Sequence, residues 1–358
     1  MLPSTNHPVN MHRTQLPAET LALLRRGTVI PAHLLALDAG RRLDPRRQRA
    51  LTRYYLDAGS GGLAVGVHAT QFAIREQGLY ETVLKLAAEE ARAWARRPLI
   101  LVGGLSGKTR QAREEAAVAR GLGYHAGMLS LAPMRGASTD ELIAHCAAVA
   151  EELPLVGFYL QTAVGGLALP MEFWRRFCEI DNVVAVKIAP FNRYRTLDVV
   201  RGLVAARAED RVTLYTGNDD HIVLDLLIPF AVKRGGEEVR VRIKGGLLGH
   251  WSVWTKKAVE LLNRIQNLHE INPEILALDS KVTDANSAFF DVAHDFAGCI
   301  AGCHEVLRRQ GLLAGIWCLD PKEGLSPGQA GEIDRVYAAY PEMNDDAFVR
   351  QNLARWLS

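Results

Sequence analysis

Short apolar runs alternate with helix-like segments along most of this chain. Seven runs have the length and composition of strands, and each leads into a segment with helical periodicity. They are Thr28 to Leu34, Gly62 to Val67, Pro98 to Val102, Ala126 to Leu131, Leu155 to Leu160, the run that begins at Val183, and Val212 to Thr216. Such alternation is typical of parallel βα units. We therefore predict an α/β fold, specifically a (β/α)8 TIM barrel.

The eighth strand of this barrel has two candidates, Val239 to Ile243 and Leu247 to Ser252. The second is favoured because it leads directly into a predicted helix, whereas residues 233–244 resemble an insertion. We predict that the barrel occupies residues 1–270 and that residues 271–358 form a C-terminal α-helical region.

A single lysine interrupts the sixth run, which reads VVAVKIAPFNR from Val183 to Arg193. A strand of this composition is typical of a parallel sheet that is buried on both faces. Burial lowers the pKa of a lysine, and a neutral lysine is a nucleophile that forms a Schiff base with a carbonyl compound. Pro190 ends the strand, so Lys187 is expected near its carboxyl end, where barrel enzymes carry their active sites. A snorkelling lysine or a buried ion pair is the structural alternative.

Polar and small residues occur where the other predicted strands end. We expect these residues at the mouth of the barrel: His33, His68, Gly103, Tyr159, Gln161, Lys187, Asn192, Asn218, Asp219, Asp220, His250 and Ser252. Together they predict a polar mouth on an apolar barrel. His33, His68 and Asp219 would also be compatible with a metal site, but lysine chemistry requires none, and we expect neither a metal nor a cofactor.

Composition argues against several classes of protein. The chain has 358 residues, of which 48% are hydrophobic, and a formal net charge of only +2 without a basic stripe. Nucleic acid and anionic membrane are therefore not expected as partners. No segment approaches the roughly 20 apolar residues of a membrane span. The five cysteines lack disulfide-type spacing, and Cys299 and Cys303 are expected to be buried thiols, so we predict a cytoplasmic protein.

Six segments resemble one known superfamily in their order and spacing. They are GSGGLAVGVHAT, LVGGLSGKTRQARE, LPLVGFYLQTAVGG, VVAVKIAP, TGNDD and GGLLGHWSV. Together they resemble the dihydrodipicolinate synthase and N-acetylneuraminate lyase superfamily of class I aldolases. The resemblance implies a barrel with C-terminal helices that assembles as a homo-oligomer, a dimer or a tetramer.

The resemblance also implies roles for individual residues. Lys187 matches the lysine that condenses with a 2-keto acid, classically pyruvate, and Tyr159 matches the tyrosine that relays protons. An iminium is an electron sink, and a nearby hydroxyl would move the protons. We predict that these two residues are catalytic. Substrate-binding roles are expected for His68, Val67, Gln161, Asn218, Arg193 and His33.

Several departures from the family pattern narrow the expected function. Gly66 to Thr70 reads GVHAT where the family carries Gly-Thr-Thr-Gly-Glu. His68 takes the place of the second threonine, where it would bind a carboxylate as imidazolium or act as an acid or base. Pro133 to Arg135 replaces a tyrosine pair, and Val164 stands where the synthases carry an arginine for the second carboxylate. These departures argue against a role in lysine biosynthesis.

We therefore predict a Schiff-base lyase of the aldolase, hydratase-aldolase or dehydratase type, acting on a small-molecule 2-keto acid such as pyruvate. A dehydratase acting on a sugar-derived keto acid is an alternative within the enzymes. A non-catalytic small-molecule-binding or regulatory protein on the same barrel is the alternative outside them. Lys187 and Tyr159 together argue against the binding protein, because a pure binder does not need a reactive lysine.

Overall fold

The computed structural model describes residues 10–358, which form nine strands and thirteen α-helices. The strands are β1 (Val29–Pro31), β2 (Gly62–Val65), β3 (Ile100–Leu105), β4 (Ala126–Leu129), β5 (Leu155–Leu160), β6 (Val183–Ala189), β7 (Thr213–Thr216), β8 (Pro229–Arg234) and β9 (Glu237–Leu248). The helices are α1 (Ala18–Arg26), α2 (Pro45–Ala58), α3 (Tyr80–Trp94), α4 (Thr109–Gly121), α5 (Thr139–Ala150), α6 (Met171–Glu179), α7 (Arg193–Ala205), α8 (Ile222–Leu227), α9 (Thr255–Gln266), α10 (Pro273–Phe289), α11 (Cys299–Arg309), α12 (Gln329–Ala339) and α13 (Asp346–Trp356). None of these helices is long and apolar enough to cross a membrane.

Eight of the strands pair in parallel to form a barrel. Their order is β1-β9-β7-β6-β5-β4-β3-β2. A parallel bridge between Ala32 and Ala64 brings the ends of β1 and β2 together and all but closes the ring. The fold is a (β/α)8 TIM barrel with a C-terminal helical extension, which confirms the prediction. The division at residue 270 remains a prediction.

Strand β9 has two successive partners. Residues Glu237–Arg242 pair antiparallel with β8 in a hairpin outside the barrel. Residues Ile243–Leu248 then lie parallel between β7 and β1 as the eighth barrel strand. The predicted bounds of that strand, Leu247 to Ser252, are therefore wrong, because barrel pairing begins at Ile243. His250–Ser252 instead forms a 3-10 turn.

The barrel has an apolar layer on each side of its wall, and alternation along each strand decides which layer a side chain joins. In β5, Val156, Phe158 and Leu160 pack inside the barrel. Leu155 and Tyr159 pack in the layer between the sheet and the helices. Because successive side chains point to opposite faces, neighbours in sequence lie in different environments.

Helix α2 has two sequence features that favour its start. The Asp44 side chain accepts a hydrogen bond from the Arg47 amide at 3.0 Å, and Pro45 occupies the first helical position. Both features favour a helix start, since the carboxylate satisfies a free amide and proline lacks the amide that would have no partner.

Segments outside the βα units pack against both ends of the barrel. Helix α1, which sequence patterns did not predict, contributes Leu24 to the inner apolar cluster, and the Tyr215 hydroxyl donates to the Leu24 carbonyl at 2.8 Å. At the carboxyl end of the strands, the connection from α10 to α11 approaches the mouth. The predicted C-terminal α-helical region is interrupted between these two helices. The backbone leaves the helical conformation there, and Asp291 and Phe296 adopt positive φ values of 57° and 67°.

Candidate active site

A cavity lies at the carboxyl ends of six barrel strands, namely β1, β2, β5, β6, β7 and β9. It contains about 710 Å³ of empty space, including its open end. Four of its side chains are charged or strongly polar: His68, Gln161, Lys187 and Asp219. Four phenylalanines also line it: Phe158, Phe191, Phe290 and Phe296. The position is that of the active site in barrel enzymes, but the walls are more apolar than the sequence predicted.

Lys187 lies inside the barrel near the end of β6 and is only 8% exposed. Its Nζ atom lies 4.6 Å from the centroid of the Phe158 ring. Burial lowers its pKa to about 8, although the negative charge of Asp219 opposes that shift. A lysine with this pKa is about one-half neutral at pH 8 and about one-tenth neutral at pH 7, and the neutral amine is the nucleophilic form.

Gly217 allows this position of Lys187. A Cβ atom at residue 217 would lie 2.6 Å from Lys187 Cε and 2.9 Å from Ala189 Cβ. These distances are well inside van der Waals contact, so a side chain larger than hydrogen would displace the lysine. The glycine at the end of β7 therefore leaves room for the aliphatic stem.

Asp219 lines the same cavity from the loop after β7. Burial raises the pKa of its carboxyl group to about 7, while the charge of Lys187 opposes the rise and that of Asp220 adds to it. Its Oδ1 atom is buried and has no hydrogen-bond partner among residues 10–358. The backbone is fixed, because its carbonyl accepts a hydrogen bond from Asn286 Nδ2 at 2.6 Å. Asp219 is thus a carboxyl group able to exchange a proton near neutral pH.

His68 lines the cavity from the 3-10 turn after β2, next to Val67, which also lines it. Burial, and then the charge of Lys187, lowers the pKa of His68 to about 4. The imidazole is therefore neutral at pH 7. One role predicted for His68 from the sequence is to bind a carboxylate as imidazolium. The buried position beside Lys187 disfavours that charged form. A neutral hydrogen-bonding role remains.

Tyr159 does not reach the cavity. Its hydroxyl donates to the Leu169 carbonyl at 3.1 Å and accepts from the Leu169 amide at 3.2 Å. Its ring packs 5.1 Å from that of Trp174 in α6. Phe158 is the β5 partner of Lys187 and faces the lumen, so strand alternation directs Tyr159 outward. The structure therefore does not support the proton relay predicted for Tyr159.

Asn218 and Arg193 hold the loops of the mouth instead of facing the cavity. Asn218 Nδ2 donates to Asp225 Oδ2 at 2.9 Å, and its Oδ1 accepts from the Phe191 amide at 3.1 Å. Arg193 forms an ion pair with the fully buried Asp225 carboxylate. Neither residue lines the cavity. Their predicted substrate contacts are not supported, because internal partners already satisfy these groups.

His33 and Gln161 differ in their position. The ring nitrogens of His33 contact Thr52 Oγ1 at 2.8 Å and the Leu34 carbonyl at 2.9 Å, and burial lowers its pKa to about 4. It is a core histidine and does not line the cavity. Gln161 does line it, but its Oε1 atom accepts from the Ala163 amide at 3.2 Å. Of the predicted binding residues, the structure brings His68, Val67 and Gln161 to Lys187.

Sequence reasoning missed the contribution of the C-terminal segment to this cavity. Cys299, Ile300 and Cys303 of α11 line it. Both thiols are free and buried, as predicted, and burial raises the pKa of Cys299 to about 12. They are neutral, weakly polar wall groups at ordinary pH. No local sequence pattern predicts that these α11 residues line the cavity, because their position depends on how α11 packs over the mouth of the barrel.

Residues 26–231, more than half of the chain, match the Dihydrodipicolinate synthetase family. The chain belongs to this family. A 4-hydroxy-tetrahydrodipicolinate synthase of Desulforudis audaxviator is 29% identical over 207 residues, which span 56% of this chain and 66% of that relative. The matched stretch thus covers slightly less than two thirds of the relative's length.

Solved structures share the fold at low identity. The dihydrodipicolinate synthase from Oceanobacillus iheyensis has a TM-score of 0.71 at 15% identity, covering 90% of this chain and 99% of that one. The N-acetylneuraminate lyase from Fusobacterium nucleatum has a TM-score of 0.70 at 14% identity, covering 88% and 99%. The dihydrodipicolinate synthase from Acinetobacter baumannii, solved with pyruvate, has a TM-score of 0.71 at 18% identity, covering 87% and 98%. This chain is a divergent member of the family.

Proposed function

We propose that this family member is a class I lyase in which Lys187 forms a Schiff base with a 2-keto acid such as pyruvate. The supporting observation is the placement of the Lys187 amine in an apolar cavity at the carboxyl end of the barrel, where burial lowers its pKa to about 8. Family membership supports the same reaction type.

The reaction would run through an iminium ion. The neutral Lys187 amine adds to the ketone carbon, and loss of water from the carbinolamine gives the iminium. Loss of a proton from the adjacent carbon then gives an enamine, which forms a carbon–carbon bond with an aldehyde. Hydrolysis consumes the water released earlier and frees the lysine. Cleavage is the reverse of these steps.

Asp219 is the proposed proton-transfer group. The steps above need an acid and a base within reach of the iminium. Phe158 occupies the lumen position beside Lys187 and has no hydroxyl, whereas Asp219 lines the same cavity with a carboxyl pKa of about 7. Its unpartnered Oδ1 atom is free to bond with a reacting hydroxyl.

The carboxylate of the keto acid would lie against the wall formed by Val67 and His68, where neutral imidazole and backbone amides are the available donors. No arginine lines the cavity in the part of the chain that the structure describes. A substrate with a second carboxylate would lack a cationic partner there. We therefore propose that the reaction is not dihydrodipicolinate synthesis.

A non-catalytic binding protein is the second candidate, and one observation favours it. Phe158 lies beside Lys187 and has no hydroxyl group. If Asp219 does not transfer protons, Phe158 cannot replace it. Such a binding protein would hold a keto acid on Lys187 as a Schiff base without turning it over. The cytoplasmic location, the homo-oligomeric state and the choice between aldolase and dehydratase belong to the proposal as predictions.

Turnover by Lys187→Ala tests the proposal. Release of pyruvate from 4-hydroxy-2-oxo acids is followed for the wild type, for Lys187→Ala and for a control, Lys85→Ala, which replaces an exposed lysine of α3. We expect loss of turnover only in Lys187→Ala. Full turnover by that variant would refute the Schiff-base mechanism, and a wild type that traps keto acids without turnover would support the binding protein.

A further inference from the structure

We infer that the second reactant, the aldehyde joined to or released from the keto acid, carries an apolar aryl group. This inference rests on the proposed Schiff-base function and names the substrate class of that site. It follows from the walls of the cavity beyond Lys187.

The side of the cavity away from the barrel is formed by a covering segment, which comprises the connection from α10 to α11 and the start of α11. Phe290, Phe296 and Ile300 line the cavity from this segment, together with the neutral thiols of Cys299 and Cys303. None of these side chains carries a charge or a strong hydrogen-bonding group. The covering segment therefore offers apolar contact to whatever extends outward from the lysine.

Two aromatic residues that line the cavity, one in the loop after β6 and one in the covering segment, adopt an unfavourable backbone conformation. Phe191 and Phe296 have φ values of 50° and 67°, a region that bulky side chains rarely occupy. Their ring centroids lie 5.7 Å apart at an interplanar angle of 63°, an edge-to-face pair. Strained backbone of this kind persists only where the surrounding structure imposes it, and it is concentrated at functional sites. The fold thus holds two aromatic rings at the cavity despite the strain.

Polar groups in the cavity are too few for a polyhydroxylated aldehyde. Lys187 and Asp219 are assigned to the chemistry and His68 to the carboxylate of the keto acid. Gln161 Oε1 already accepts a hydrogen bond from a backbone amide. Each buried hydroxyl without a partner weakens binding, whereas an aryl ring gains from contact with four phenylalanines. The same argument disfavours sugar-derived keto acids and aldehydes that carry a carboxylate.

The proposed step is balanced without any further reactant. The methyl carbon of pyruvate, as the enamine, bonds to the aldehyde carbon of the aryl aldehyde. The Asp219 carboxylate takes one proton from the methyl group of the pyruvate iminium as the enamine forms, and it gives that proton to the aldehyde oxygen as the carbon–carbon bond forms. Hydrolysis of the iminium releases a 4-aryl-4-hydroxy-2-oxo acid.

Competitive trapping with borohydride tests the inference on the full chain. The half-saturating concentrations for adduct formation on Lys187 are compared for 2-oxo-4-phenylbutanoate, 2-oxoglutarate and pyruvate. We expect the aryl compound to react at a concentration at least about tenfold lower than 2-oxoglutarate, as a well-filled apolar pocket provides. Turnover of pyruvate with benzaldehyde should likewise exceed turnover with glyceraldehyde.

Two matched variants assign the preference to the covering segment. Ile300→Asn places an amide in the cavity wall, and we expect it to reduce the aryl preference about tenfold. Val292→Asn makes the same change at a residue that is 47% exposed and does not line the cavity, and it should leave the preference unaltered. Pyruvate trapping in the same samples shows that each variant is folded and reactive.

Failure of the inference is distinguishable from failure of the proposed function. Adducts on Lys187 that favour 2-oxoglutarate, or turnover that favours glyceraldehyde, would overturn the aryl assignment and leave the Schiff base intact. An unchanged preference in Ile300→Asn would also overturn it. The absence of an adduct with every keto acid would refute the Schiff base itself, and the inference with it.

Discussion

Lys187 Nζ lies 4.6 Å from the centroid of the Phe158 ring, and the two residues are register partners in β6 and β5. The family resemblance implies a tyrosine hydroxyl in this part of the site, but Tyr159 faces the helices. An apolar ring beside the amine contributes to the burial that lowers its pKa, yet it cannot transfer protons. We therefore propose that Asp219, which lines the same cavity, carries out the proton transfers at Lys187.

Replacement of Tyr159 distinguishes the two assignments of the proton relay. We expect Tyr159→Phe to keep turnover within about twofold, because its hydroxyl bonds only to the backbone of Leu169. Loss of that bond should reduce the free energy of unfolding by about 1 kcal/mol, measured by denaturant titration. A large loss of turnover, with unchanged formation of the pyruvate adduct on Lys187, would show that Tyr159 is the proton-relay residue.

Replacement of Asp219 is expected to impair turnover directly. Asp219→Asn should lower kcat by about 10²- to 10⁴-fold, the usual contribution of a positioned acid or base. Asp220→Asn, at the exposed neighbour, is the control and should have a much smaller effect. Near-normal kcat in Asp219→Asn would exclude the carboxyl group as the proton-transfer residue.

The pH dependence of activity follows from the Lys187 amine and the Asp219 carboxyl group. Lys187 must lose its proton, so adduct formation should rise with pH through about 8. Asp219 must hold a proton at the start of turnover to act as the acid in the loss of water from the carbinolamine, so turnover should fall as pH rises above about 7. Turnover should therefore be greatest between these values.

The negative charge of Asp219 raises the pKa of Lys187. Asp219→Asn should therefore move the rise in adduct formation to lower pH. A move to higher pH would contradict the interaction between the two groups.

The space left by Gly217 is expected to be essential for the lysine. Gly217→Ala should slow adduct formation at least about tenfold, because the added Cβ atom would lie 2.6 Å from Lys187 Cε. The control is Gly121→Ala in α4, where no atom lies within 4 Å of the added Cβ. That change should stabilise the protein by about 0.5–1 kcal/mol without altering adduct formation. Equal trapping by both variants would contradict the assigned packing.

Much of the barrel could be predicted from sequence, because strand and helix periodicities differ and βα alternation has few architectures. The β5 bounds, Leu155–Leu160, were predicted as they are observed. The eighth strand was misplaced because β9 joins a hairpin and a barrel strand in one continuous run, in which Ile243 begins the barrel pairing.

The site was predicted less well, for reasons of geometry. Lys187 was identified because a lone cation in an apolar strand is unusual, but the choice between Phe158 and Tyr159 depends on which face of β5 turns inward. A one-residue difference exchanges the two faces, and sequence alone does not fix it. The approach of Ile300 to the mouth depends on long-range packing of α11, which no local pattern encodes.

Trapping of the Schiff base tests the central claim most directly. The protein is incubated with isotope-labelled pyruvate, reduced with borohydride, digested, and its peptides are weighed by mass spectrometry. Wild-type protein should gain one reduced pyruvate unit on the peptide that contains Lys187, and Lys187→Ala should gain none. A folded wild-type protein that forms no adduct with pyruvate or any other 2-keto acid, or that carries it equally on exposed lysines, would contradict the proposed mechanism.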